Sequence, residues 1–163
     1  MIAYGNITSA DLFFANRLFT FDWDNANIDD RQKAISHATM LIDQFAYIGD
    51  KYSVSMIVDP TQEQRQAAEI AQPLEFPRGD SSVVPSEIEH ACYLIAQALL
   101  SGRNPDMDLE GLANTSVSYG GVRTNFDRSE IMEHVSHLIP SPEAFNLLRP
   151  FFRRKNSFYV KRV

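Results

Sequence analysis

Four side chains in one short stretch, Glu130, Glu133, His134 and His137, are the first candidates for chemistry. Carboxylates and imidazoles three and four residues apart share a helix face and can converge on a metal ion. Glu87-Ile88-Glu89-His90 adds an E-x-x-H triplet of the kind found in di-metal helix bundles. Such ligands must point inward. A helix from Ser129 to about His137 puts Ile131, Met132, Val135 and Leu138 on its inner side, which turns residues 130, 133, 134 and 137 to solvent. His90 likewise falls off the apolar stripe of its own helix, beside Tyr93 and Gln97. No metal site and no cofactor are expected.

Other routes to catalysis are no better supplied. The chain has no G-x-x-x-x-G-K-[ST], G-x-G-x-x-G or G-x-S-x-G. Gly120-Gly121 reads as a turn rather than a phosphate cradle. Asp22-Trp23-Asp24 reads as an exposed rim around a packed Trp, and the lone Cys92 as a small packing residue on a core face. No acid, base and nucleophile come together, so the chain is expected not to be an enzyme. Basic residues beside aromatics at the end of the chain (Arg153, Arg154, Lys155, Phe158, Tyr159, Lys161, Arg162) have three readings. They could stack nucleic-acid bases, stay a solvated end, or order on a protein partner.

The elements that must position these residues are mostly helical. The central stretch is Gln72 to Gly102. Pro73 and Pro77 keep Gln72-Pro73-Leu74-Glu75-Phe76-Pro77-Arg78 extended. A helix over 86–101 follows, with the stripe Ile88, Ala91, Cys92, Ile95, Ala98, Leu99. Pro85 suits its first turn, Ser86 and Glu89 offer a capping box, and Gly102 ends it. Thr8-Ser9-Ala10-Asp11 predicts a helix start, running to about Leu18, and Phe19 to Asn27 reads as irregular and aromatic. Asp29 and Asp30 open a helix to about Ile48, with Ala34, Ile35, Ala38, Leu41, Ile42 and Phe45 inward. Helices 30–48 and 86–101 are expected to form a central antiparallel pair. Lys51 to Val58 reads as extended, Thr61 to Ala71 as a solvated helix, and 116–126 as a β-hairpin. A last helix starts at Ser141 or Pro142 and ends at Pro150, with Phe151 and Phe152 anchoring its end to the domain. The expected fold is mainly α, a small helical bundle with one hairpin, in a single domain over 1–152 and an extended basic tail over 153–163.

Charge divides the chain in the same place. The tail holds five of the fifteen basic residues and none of the 21 acids, so the body carries −11 while the net charge is −6. An acidic body argues against a nucleic-acid surface there, and a basic tail against an acidic partner is the simpler use. Apolar runs are too short for a bilayer and no signal peptide is read, so folding in a cytosol, without a membrane partner, is expected.

The order of several short motifs resembles the head–tail connector (adaptor) proteins of tailed bacteriophages, also identified as DnaT-like single-stranded-DNA-binding proteins. The matching pieces are Phe14-Ala15-Asn16-Arg17 with Trp23, and Ala34-Ile35-Ser36-His37-Ala38-Thr39 with Ile42-Asp43 and Gly49. Gln72, Leu74, Phe76, Pro77 and Arg78 match the family's Q-x-L-x-[FW]-P-R, and Pro85 stands in its I-P-x-x-[IV]-x-x-A helix start. Ser116 to Phe126 is similar to its strand pair, and Leu147 to Phe152 to its closing L-L-x-P. Between Gly49 and Gln72 the chain is longer than the family pattern. The resemblance implies a structural virion protein of the neck. Its copies, twelve by that pattern, form a ring at the head–tail junction, bound to the portal and to tail-side stopper or tail proteins. Double-stranded DNA passes through the lumen during ejection. The tail residues are then expected to dock on the portal. A single-stranded-DNA-binding replication protein is the alternative that the second label implies.

Overall fold

Helix α6 (Ser86–Leu100) is the post around which the other elements stand. Ile88 and every residue from Ala91 to Ala96 are buried, so the helix is covered on more sides than one stripe would require. Tyr93, Leu94 and Ala96 join the predicted stripe, while Ala98 and Leu99 at its end are only half-buried. Each fully buried Ile or Leu contributes about 2 kcal/mol. The computed structural model describes residues 2–107, 116–119, 122–125 and 133–153.

Packed on the post are α1 (Ile7–Phe14), α2 (Phe21–Asn25), α3 (Ile28–Ile42) and α8 (Pro142–Leu148). The expected central pair is present. Thr39 Oγ1 lies 3.6 Å from Cys92 Sγ, while Ala34 and His37 lie with Leu99 and Leu100 around one shallow groove. Rising numbers on α3 therefore meet falling numbers on α6, an antiparallel arrangement. Two short helices, α4 (Tyr52–Ser55) and α5 (Gln62–Ala71), pack on each other. A third, α7 (Glu133–Ser136), precedes α8. The protein is thus mainly helical. Strands β1 (Ser116–Tyr119) and β2 (Val122–Asn125) pair antiparallel with Tyr119 opposite Val122. Gly120 and Gly121, the predicted turn, lie outside the described residues, as do Glu130, Ile131, Met132 and residues 154–163.

Local chemistry explains where the elements begin and end. Thr61 and Gln64 form a reciprocal capping box that starts α5. Ser141 caps α8 and Pro142 fills its first turn, as the sequence predicts. Gly102, at φ +84°, closes α6.

Five expectations are corrected. Helix α1 begins after Asn6, whose side chain accepts from Ser9 N at 2.9 Å, rather than at Thr8, and ends at Phe14 rather than Leu18. Residues 19–27 are not wholly irregular, because α2 forms within them and buries Trp23. Helix α3 starts at Ile28 behind an Asn27 cap and stops at Ile42, not Ile48. There the Tyr47 hydroxyl donates to the Ile42 carbonyl at 2.7 Å, satisfying an end group that a further turn would have used. Residues 52–55 are helical rather than extended, because Ser53 N–H donates to Gln72 Oε1 and Ser53 Oγ to Ala68 O, which ties this turn to the end of α5. Pro85 is the cap residue of α6 rather than a member of its first turn, and the Ser86–Glu89 box does not form.

The C-terminal described residues return to the middle of the chain. Ile48 N–H donates to Phe151 O and Arg153 N–H to Ala46 O, both at 2.9 Å, and Tyr47 pairs with Phe152 as an antiparallel bridge.

Candidate functional site

The extended arm Gln72–Arg78 is where the resemblance motif lies and where a cluster of part-buried polar contacts meets. Gln72 leaves α5 in extended backbone. Its side-chain amide donates to Leu74 O at 3.2 Å and Pro77 O at 2.8 Å, while its oxygen accepts from Ser53 N at 3.1 Å. One glutamine thereby pins the arm to itself and to α4. Leu74 is half-buried against the core. Phe76 is buried among Tyr4, Tyr47 and Phe151, with ring centroids at 6.1, 4.7 and 5.6 Å in edge-to-face geometry. The Phe76–Pro77 peptide is cis, and Pro77 O accepts from Tyr52 N at 3.0 Å.

Arg78 closes the arm. Its guanidinium reaches Glu75 Oε2 at 2.6 Å, Ile48 O at 3.2 Å and the Gly49 carbonyl. Lys51 Nζ holds the other Glu75 oxygen at 3.1 Å. A fork of five donors suits this task, since one guanidinium can serve several carbonyls and a carboxylate at once.

Beneath the arm, the Tyr4 hydroxyl donates to Asp43 Oδ1 and accepts from Phe76 N at 3.0 Å. Glu75 N–H adds a second donor to Asp43 at 3.3 Å. Burial pushes the Asp43 carboxyl above its ordinary range against the pull of these donors. Burial, with Asp43 as neighbour, also raises the Tyr4 and Tyr47 phenols. Each of these polar groups is turned onto the backbone or onto another member of the cluster, so what the arrangement does chemically is hold a loop crossing in one shape.

The remaining candidate residues separate. Trp23 is buried, donates Nε1–H to Asp11 at 2.8 Å, packs on Phe14 with tilted rings whose centroids are 4.9 Å apart, and has the Arg31 guanidinium 5.3 Å above its ring. His90 stacks on Phe13 at 4.6 Å, and Cys92 is fully buried between Thr39 and Ile35 O. His137 does not face solvent as its spacing predicts. It lies half-buried against Phe45, Phe145 and Phe152, with Nδ1 2.7 Å from Glu133 O, because the inner side of this region is lined with rings. Among the described residues no group of three or more His, Cys, Asp or Glu side chains is placed to hold a metal ion, and no helix is long and apolar enough to cross a membrane. Of the tail, Arg153 is described and exposed, while Arg154, Lys155, Phe158, Tyr159, Lys161 and Arg162 lie outside the described residues.

Sequence reasoning missed Tyr4, Asp43, Tyr47 and Lys51 as partners of the arm, because nothing local marks residues up to 72 apart as neighbours. It also missed Phe19, which stands 91% exposed on a backbone with φ +63°. No family model, curated protein or solved structure matches this chain.

Proposed function

We propose that the chain is a structural subunit of a phage head–tail adaptor, assembled as a ring, twelve copies by the resemblance, between the portal and the tail-side neck proteins. The observation that carries the reading is the arm. The residues by which the sequence resembles the adaptor family (Gln72, Leu74, Phe76, Pro77, Arg78, Trp23) are buried or bonded fold-holding positions, and such positions are a firmer basis for a resemblance than scattered surface matches. The chemistry of the site agrees with assembly rather than turnover. It fixes a loop crossing and leaves large apolar side chains outside: Leu12, Leu18, Phe19, Phe21 and Ile28 are each at least 69% exposed. Surface of that kind suits contacts between subunits. A body of charge −11 would present DNA with a neutral or acidic lumen along which phosphates slide without being held.

Negative-stain imaging of the full-length protein, alone and mixed with the portal of its virus, tests the reading. Rings stacked coaxially on portals are expected. A two-fold dimer or a single copy per portal overturns it.

A further inference from the structure

Residues 15–20 join α1 to α2 and hold two large apolar side chains in water, Leu18 at 82% and Phe19 at 91% exposure. Phe19 does so on left-handed backbone, which bulky residues rarely adopt. Strain of this kind persists only where the surroundings hold it. Two exposed links tie the loop to the body. The Gln97 side-chain amide, on α6, donates to Phe19 O, and Arg17 pairs with Glu143 of α8 at 2.6 Å. Bonds and ion pairs that water can replace are weak holds.

Beside the loop runs an open groove of about 450 Å³, walled by Leu94 and Ala98 of α6 and by Pro140 and Pro142. A far smaller apolar cavity, of about 150 Å³, takes up a benzene ring. Leu18 and Phe19 stand at the edge of the groove, so a ring that could fill it is already in place. The groove's charges without an ion pair among the described residues, Arg103 and Asp22, are of opposite sign, so it favours no ionic guest. A neutral ring suits it better. The Arg103 guanidinium is held by donating to Pro140 O at 2.9 Å, and its flat face is one on which an aromatic ring can stack.

We propose that residues 15–20 are a lid with two positions. In the open one, which the structure shows, Gln97 holds Phe19 O and the ring stands outward, where a neighbouring molecule can receive it. In the closed one the Gln97 bond is broken and Phe19 returns to negative φ. Its side chain then swings round into the groove of its own copy, against Leu94, Ala98 and the Arg103 guanidinium. Closure relieves the backbone and covers apolar surface, and the bond to Gln97 opposes both, so a partner that takes up the ring selects the open position. An unassembled copy thereby hides a contact residue that an assembled copy presents. That use rests on the adaptor reading, whereas the motion belongs to a single copy.

The test is NMR on full-length protein that is protonated at Phe and Tyr rings and at Leu and Ala methyls and deuterated elsewhere. It is diluted into an excess of fully deuterated copies, so the contacts read lie within one copy. Cross-peaks between the Phe19 ring, assigned by its loss in Phe19→Leu, and the Leu94 and Ala98 methyls report closure. Gln97→Ala removes the opposing bond and should raise them about fivefold, the population change that losing one neutral hydrogen bond produces. Gln97→Glu, which keeps the side chain's size and cannot donate, should do the same. Cross-peaks that either variant leaves unchanged, whether strong or absent, overturn the proposal. Cross-peaks to these methyls from Phe158 or Tyr159 give the groove to the C-terminal segment and overturn it too. A lid that fails this test leaves the adaptor reading standing, and a missing ring on the portal leaves the lid standing.

Discussion

Replacing Gly5 by Ala measures how closely the N-terminal strand of chain is pressed onto α6. Gly5 has φ +81°, and an added Cβ would sit 2.0 Å from the Tyr93 hydroxyl oxygen and 2.6 and 2.7 Å from two ring carbons. The backbone alone costs about 1–2 kcal/mol for a residue with a Cβ. The overlap adds about 1–3 kcal/mol, because Tyr93 is buried and its ring cannot step aside without moving core. The sum, about 2–5 kcal/mol, is a large share of the roughly 5–15 kcal/mol that holds a domain folded. For a chain of this size it corresponds to a fall in Tm of about 4–20 °C. Gly49→Ala is the internal control, since Gly49 has φ +78° but nothing within 4 Å of a Cβ. It should lose only the backbone part, about 2–8 °C. Thermal melts followed by circular dichroism, with urea melts for free energies, read both. Adding Tyr93→Phe to Gly5→Ala should recover little, because the carbon contacts remain. If Gly5→Ala costs no more than Gly49→Ala, the close approach is not there and the argument fails.

Gln72→Leu removes two donors and one acceptor from the arm and should cost about 2–4 kcal/mol in urea melts, on the order of 1 kcal/mol for each bond plus unpaired carbonyls; a loss within error would show that the arm holds itself. Burial raises the Asp43 carboxyl, so its contribution to stability is full below the unfolded value of about 3.9 and is lost as pH rises through the folded value. Asp43→Asn abolishes that titration, and its stability relative to the parent protein should climb as pH rises above the unfolded value; a falling difference contradicts the assignment. The Cys92 thiol, pushed up to about 12 chiefly by burial, should resist a thiol reagent at neutral pH in the native protein and react promptly in denaturant. Equal rates in both states would place Cys92 at the surface.

Where local chemistry decides structure, the sequence can be read. The Thr61 box, the Ser141–Pro142 start and the Gly102 stop are each written in three or four neighbouring residues. The periodicity of α6 is plain, although one stripe understates a helix buried on several sides. The end of α3 is not legible, because apolar spacing continues to Ile48 while Tyr47 and Tyr4, acting on Ile42 O and Asp43, stop the helix from elsewhere in the fold. His137 is misplaced for a related reason. Helical spacing ranks positions against one helix axis, and its neighbours Phe45 and Phe152 come from other segments. Of the candidate site, the arm's extended shape follows from Pro73 and Pro77, and its bonding partners do not.

The pairing of residues 46–48 with 151–153 sets when this part of the fold can close as the chain is made. Chains leave the ribosome N-terminus first, and early segments begin to fold before later ones exist. Until residues 151–153 are made, Tyr47 and Phe76 lack the Phe152 and Phe151 rings that pack on them, and Ala46 O and Ile48 N–H lack their partners. A chain that stops short of Phe151 therefore keeps an open aromatic face, the kind of surface by which chaperones and proteases sort unfinished chains. Closure of this face therefore waits on residues 151–153, which lie about a hundred residues after the segment that they cover.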